Sequence, residues 1–352
     1  MADLDFKLLG GSWHGNDLKS VEVVKISGTG VTALLYTCFV NIDYDGAGNA
    51  YGPLEKETLD GLGNAGYPRW YYGLVSVHPQ ARLWDMNDRS LKEFKIGTKG
   101  PIVKDHYKLQ LDVRYPDSMG RLPVVQQTGP YKGYFISATS HRKKGSPIYE
   151  QSSYVDASSV PFGALSGELS RIGGVRLNDL GLAIRHSTQK QSAFHFADMG
   201  STAGDAKTAV GECSYKVFLD LGGAKKVRGK TPDNRFAVSF LVFPASGNEA
   251  TDELSIAASI RSQIARIAQA DNSFELPLLM AFAGRADRWI TGKSGLDELK
   301  ASRSKAMSAT LKFLPPNYRN VVAGLTAFGF PGDPLALSIG RVDPAAPTGL
   351  RL

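Results

Sequence analysis

The sequence predicts a mainly β protein with a helical C-terminal region, α+β overall, on three observations. The 352 residues include 38 Gly and 18 Pro, with 16 Phe and 14 Tyr, a composition suited to many turns and half-buried strands. Short runs of β-branched and aromatic residues recur between turn signals as far as Pro244-Ala245-Ser246-Gly247-Asn248. Beyond that point apolar residues recur every three or four positions, the period of a helix. The chain therefore divides into an N-terminal segment, 1–30, a β-rich region, 31–247, and a helical region with a Pro-rich tail, 248–352.

Taken in order, residues 1–30 are expected to add an edge strand or to contact the C-terminal region. Strands are expected over 31–40, 106–113, 133–138, 181–186, 193–196, 215–219 and 236–243. A helix follows Thr251-Asp252-Glu253, which supplies a cap and an acidic first turn. Its expected apolar face is Leu254, Ala257, Ile260, Ile264, Ile267 and Ala268. A second helix is expected from about Pro277, and a third over 296–313 before Pro315-Pro316 ends it. The tail after Pro331 should be extended or loosely packed. No fixed-period repeat is present, which excludes solenoids and propellers.

A net charge of +7 invites a polyanionic partner, but the excess is spread along the chain. Arg142-Lys143-Lys144 and Lys225-Lys226-Val227-Arg228-Gly229-Lys230 read as solvated loops, and no nucleic-acid motif accompanies them. Met1-Ala2-Asp3-Leu4-Asp5-Phe6 lacks the basic and apolar regions of a secretory signal. Apolar stretches such as Val321 to Phe330 are too short for a membrane span. The expectation is a soluble chain that binds no nucleic acid and spans no membrane. Cys38 and Cys213 are too few for a disulfide framework or a thiolate metal site. Two separate buried thiols are expected rather than one bridge.

The passage richest in chemistry is Phe194-His195-Phe196-Ala197-Asp198-Met199-Gly200, then a small polar loop, then Val210-Gly211-Glu212-Cys213-Ser214-Tyr215. An Asp ending one apolar strand and a Glu starting the next can face one cleft from neighbouring strands. Such a pair can divide acid and base work: cleaving a glycosidic bond needs one carboxylic acid to protonate the leaving oxygen and one carboxylate to activate water. Different environments then separate their pKa values. By spacing alone, an Asp and a Glu fourteen residues apart also fit a turn Asp and a surface Glu.

The surrounding residues resemble glycoside hydrolase family seventy-five, the fungal-type chitosanases. Phe196-Ala197-Asp198-Met199-Gly200 and Gly211-Glu212-Cys213-Ser214 are similar to that family's F-x-D-x-G and G-E-x-S elements, in its order. Asn41-Ile42-Asp43-Tyr44-Asp45-Gly46-Ala47-Gly48-Asn49-Ala50-Tyr51-Gly52-Pro53 is similar to its early D-x-D-G-x-x-x-A-Y segment. Leu177-Asn178-Asp179-Leu180-Gly181-Leu182-Ala183 and Tyr154-Val155-Asp156-Ala157-Ser158-Ser159-Val160-Pro161-Phe162 are similar to its middle elements, and Val242-Phe243-Pro244-Ala245-Ser246-Gly247 to its last. The resemblance covers about residues 34–247. It implies a barrel-like catalytic core over 31–247, an inverting endo-hydrolase of β-1,4-linked glucosamine polymers, and Asp198 and Glu212 as the catalytic pair. Glu212 is preferred as acid and Asp198 as base, and inversion implies carboxyl groups roughly 6.5–9.5 Å apart. It further suggests a substrate-facing early loop, in which Asp43, Asp45, Asn49 and Tyr51 would bind sugar. A turn held by Asp and Gly is the plainer account of that loop.

No metal and no cofactor are expected. Read as a calcium loop, Asp43 to Leu54 lacks the twelfth-position Glu. The six His form no H-E-x-x-H or close pair, and His195, three before Asp198, would face the other side of a regular strand. Gly10-Gly11-Ser12 and Gly61-Leu62-Gly63-Asn64-Ala65-Gly66 lack the ending of a P-loop.

The partner is expected to be an amino-sugar polysaccharide. The resemblance favours chitosan, whereas the positive net charge favours anionic peptidoglycan. Without a signal, an extracellular or target-cell periplasmic site would be reached by another route. A delivered antibacterial wall hydrolase, with an immunity protein as partner, is the alternative enzyme. A non-catalytic glycan-binding protein is the alternative of another class. The helical region 248–352 is expected to pack as a cap on the β region rather than to bind wall polymer.

Overall fold

Alternation of buried and outward residues makes a strand wherever one face is covered, and the first such runs stand where the sequence places them. The computed structural model describes residues 5–15, 20–28, 30–59, 73–77, 82–85, 90–93, 102–104, 107–185, 188, 190–200, 205–225, 236–247 and 253–270. The helices expected from 277 and over 296–313, and the tail, lie outside these residues. The protein is mainly β, with few helices. Among the described residues no helix is long and apolar enough to cross a membrane.

The chain divides into two units, one drawing on Met1–Asp43, Val160–Ala224 and Asp233–Leu352, the other on Tyr44–Ser159 and Lys225–Pro232. The main sheet of the first has nine strands among the described residues: β1 (Asp5–Leu8), β2 (Val24–Gly28), β3 (Val31–Phe39), β4 (Asn41–Asp43), β5 (Phe162–Leu165), β6 (Leu180–Arg185), β7 (Gln191–Met199), β8 (Glu212–Ser214) and β9 (Ala237–Phe243). They form one mixed sheet in the order β1-β2-β3-β9-β6-β7-β5-β8-β4. Only buried Val40 separates β3 from β4. The run from β3 to β4 therefore begins and ends on the same stretch of chain, so the sheet curls to bring its β4 edge to the end of β3. The expected edge strand of residues 1–30 is β1, paired with β2.

Aromatic rings fill the core. Tyr36 and Phe240 are paired residues of β3 and β9, and their rings stack at 5.2 Å. Phe194 meets Phe240 edge-on at 6.1 Å and Phe196 at 5.5 Å. Gly181 of β6 stands opposite Phe194, and a Cβ there would lie 2.3 Å from the ring; that glycine lets the ring lie over the backbone. Thr37 and Ser239, also paired across β3 and β9, satisfy each other's buried hydroxyls at 2.9 Å. At the strand ends, Asp179 Oδ2 accepts from the backbone N–H groups of Arg176 at 2.8 Å and Ala245 at 3.0 Å. The Leu180 N–H donates to Ser246 Oγ at 2.8 Å. Asp179 and Ser246 thus join the start of β6 to the end of β9.

Two helices of this unit differ from the sequence expectation. The segment expected as a strand over 215–219 is helix α2 (Tyr215–Asp220), one of three among the described residues with α1 (Gly167–Gly173) and α3 (Glu253–Ala270). Its buried residues Tyr215, Val217, Phe218 and Leu221 follow helical spacing, and Ser214 Oγ caps it by accepting from Val217 N–H at 3.4 Å. Helix α3 forms where the period places it and lies against β6 and β7. Its buried seam includes Ile256 and Ile260, whereas Leu254 is 80% exposed. Of the expected face, Ile260 is buried, Ala257 is half-buried and Leu254 is exposed, while the side chains from Ile264 on lie outside the described residues.

In the second unit, Ile102–Lys104, Tyr107–Leu111, Leu122–Val125 and Ser76–Val77 form an antiparallel sheet in that order. The strand expected over 133–138 is reduced to isolated bridges at Phe135 and Ser137. The backbone there is occupied otherwise: Gln126 Nε2 donates to Phe135 O at 2.9 Å, and Gln151 Nε2 to Ser137 O at 2.9 Å. The same amides donate to Gly48 O at 2.6 Å and Gly46 O at 2.7 Å, which fixes the acidic loop that follows Asp43.

Candidate active site

Asp198 is the penultimate residue of β7, as the sequence predicts, but the strand is irregular there. In the parallel pairing with β5, Gly163 stands opposite Phe196 while Ala164 stands opposite Asp198. Ala197 is therefore an extra residue, a bulge that breaks the alternation between His195 and Asp198. His195 is fully buried, so it is packed rather than at the surface. Asp198 is also buried, and its Oδ1 accepts from the Met199 N–H at 2.8 Å.

Glu212 opens β8, again as predicted. The expectation of neighbouring strands is corrected: β5 lies between β7 and β8. The strands bearing the two acids flank Phe162-Gly163-Ala164-Leu165, which carries no ionisable side chain. Ser214 holds this arrangement together. Its Oγ accepts from the Phe162 N–H at 3.0 Å and donates to Val160 O at 3.0 Å, binding the end of β8 to the start of β5.

Strand β4 supplies the rest. It runs parallel to β8, with Asn41 opposite Glu212 and Asp43 opposite Ser214. Asn41 Nδ2 donates to Glu212 Oε1 at 3.2 Å. Asp43 is buried, and one of its carboxylate oxygens lies within 4.8 Å of one from Asp198. Three acids from β4, β7 and β8 are thereby gathered in the first unit, joined by one neutral amide.

Burial, and then the negative charge of Asp198, push the Glu212 carboxyl up to about 7. Both causes penalise the ionised form. A carboxyl with this property keeps about half of its protons in neutral solution and can act as an acid there. The thiol beside it has no such use. Cys213 is buried, as is Cys38, and neither is in a disulfide; burial pushes Cys213 far above the ordinary thiol range. Two separate buried thiols match the sequence expectation.

The remaining proposed sugar ligands belong to the second unit. Tyr51 Oη donates to Asp45 Oδ1 at 2.5 Å, so these two brace one another. Tyr51 also packs against Leu74, Tyr115, Val125 and Phe135. Asn49 is half-buried, and its carbonyl accepts from the Leu59 N–H at 2.9 Å. Of the four, Asp43 belongs to the first unit, the unit that holds Asp198 and Glu212.

Sequence reasoning passed over Asn41. The available signal was the period of two: residues 41 and 43 share one face of a strand, so an Asp proposed as a ligand carries the Asn two before it to the same side. No protein-family model and no curated protein matches the chain, so the functional assignment rests on residue chemistry and geometry.

Proposed function

We propose that this protein is an inverting glycoside hydrolase acting on a β-1,4-linked amino-sugar polymer, with Glu212 as general acid and Asp198 as general base. The observation that carries the assignment is the setting of Glu212, where burial and then the negative charge of Asp198 raise its carboxyl to about 7, within reach of a general acid at neutral pH. The similarity of the residues around Asp198 and Glu212 to chitosanase motifs supports the same pair. In the reaction, Glu212 gives its proton to the glycosidic oxygen as the bond from that oxygen to the anomeric carbon breaks. Asp198 takes a proton from a water whose oxygen attacks the same carbon from the opposite face. The product has inverted configuration, and Glu212 is left ionised and Asp198 protonated until solvent restores both.

A glucosamine polymer suits the site because Asp43 and Asp198 concentrate negative charge where a sugar ammonium would bind. The net charge of +7 favours a second reading, the anionic glycan strands of peptidoglycan. Mass spectrometry after incubation of wild type and Glu212→Gln with chitosan and with purified peptidoglycan separates the two. Glucosamine oligomers from wild type alone support the first, and muropeptides the second. Binding without product from either polymer would sink both and leave a glycan-binding protein. Proton NMR of the first-formed anomer tests inversion.

A further inference from the structure

The two oxygens of Glu212 have different surroundings, and this difference assigns a role to Asn41. Asn41 is held by its backbone: its N–H donates to Gly211 O at 3.0 Å, and the parallel pairing sets it opposite Glu212. Its short side chain then donates from Nδ2 to Glu212 Oε1 at 3.2 Å. An amide N–H only donates, so the oxygen it meets must accept. In a protonated carboxyl the carbonyl oxygen is the better acceptor, which leaves the hydroxyl on the other atom.

That other atom, Oε2, lies over Gly200, where a Cβ would come within 3.2 Å of it. Gly200 is not in the left-handed region, so its backbone does not demand glycine; a side chain there would press on Oε2. We propose that Asn41 is a positioning residue, which holds Oε1 of Glu212 as acceptor so that the transferable proton is carried on Oε2 above Gly200. This rests on Glu212 being the acid of the proposed hydrolase. Among the described residues, the ionisable groups facing Glu212 are Asp198 on β7 and, beyond Asp198, Asp43 on β4; β5 contributes none.

Asn41→Leu keeps the size and removes the donor. A hydrogen bond from an amide favours the ionised carboxylate, so its loss raises the Glu212 pKa further. On chitosan, kcat should fall about tenfold to a hundredfold with KM within about twofold, because the proton is misdirected while binding is kept. The alkaline limb of kcat/KM should move upward by up to about one pH unit. A 2,4-dinitrophenyl glycoside of a glucosamine oligomer, whose leaving group needs no proton, should lose less than about threefold. Gly200→Ala, by crowding Oε2, should reproduce the split between the two substrates.

Equal losses on both substrates, or an unmoved alkaline limb, would overturn the role of Asn41 while leaving the hydrolase intact. If wild type cleaves neither substrate, the hydrolase reading fails instead. Carbon-13 NMR titration of the Glu212 carboxyl, assigned with Glu212→Gln, then still decides the coupling. A raised midpoint in Asn41→Leu supports it, and an unchanged one refutes it.

Discussion

Carboxylate oxygens of Asp43 and Asp198 lie within 4.8 Å of each other although 155 residues separate them in the chain. Like charges this close in partly excluded solvent oppose folding and favour a bound cation. Asp43→Asn should therefore raise the thermal midpoint by a few degrees, about 1 kcal/mol for a domain of this size. The same change should raise KM for a glucosamine polymer more than it lowers kcat. Calorimetry and steady-state kinetics check both; a lower midpoint with unchanged KM would make Asp43 a structural acid.

Glu212 gives a pH dependence with a defined sign. Its folded-state pKa of about 7 lies above the ordinary carboxyl value, so between the two the folded protein binds more protons than the unfolded chain. Its contribution is then most favourable below the ordinary value and declines as pH rises toward 7. Glu212→Gln removes that penalty. Because the residue is half-buried, the gain should be about 1–2 kcal/mol above pH 7, vanishing near pH 4. Denaturant titrations at the two pH values measure it. Turnover should meanwhile fall by about two to four powers of ten, and wild-type activity should decline above pH 7 as the acid loses its proton.

The two carboxylates were legible in the sequence because each is written locally, Asp198 at the end of an apolar run and Glu212 just after a glycine. Their separation by β5 was not, because it is set by pairing between segments that are remote in sequence. Helix α3 was legible from its period, which is also local. Helix α2 was not: Tyr215-Lys216-Val217-Phe218-Leu219 fits a strand as well as a helix until the Ser214 cap and the burial of Leu221 decide between them. Phe135 and Ser137 illustrate the opposite error. Their composition suits a strand, but glutamine side chains take their carbonyls.

Asp198→Asn keeps the shape of the side chain and its acceptor oxygen for the Met199 N–H, but removes the base. Turnover should fall by about two to four powers of ten with far-UV circular dichroism unchanged. Rescue by added azide, giving a glycosyl azide of inverted configuration, would identify the lost function as activation of the nucleophile. Retained activity without azide would remove Asp198 from the mechanism.

Chelation makes a further test. A carboxylate pair that moves protons needs no metal, so activity after dialysis against EDTA should equal that before it. A loss restored by added calcium or magnesium would show that the acidic cluster works by holding a cation, and would reassign Asp198 from base to ligand.

Ser214 links stability to activity. Its Oγ accepts from Phe162 N–H and Val217 N–H and donates to Val160 O, so it caps α2 and ties β8 to β5 at once. Ser214→Ala leaves the buried Phe162 N–H without its acceptor and α2 without its cap, a loss of about 2–3 kcal/mol in all. Because Glu212 sits two residues earlier on the same short strand, slackening that end should also displace the acid. The expected result is a fall in kcat of about tenfold with little change in KM, measured at a temperature where the variant is still folded. Ser214→Thr, which keeps the hydroxyl, should recover most of both losses. If stability falls while kcat holds, the Ser214 corner supports the fold alone, and Glu212 is positioned from the β4 side.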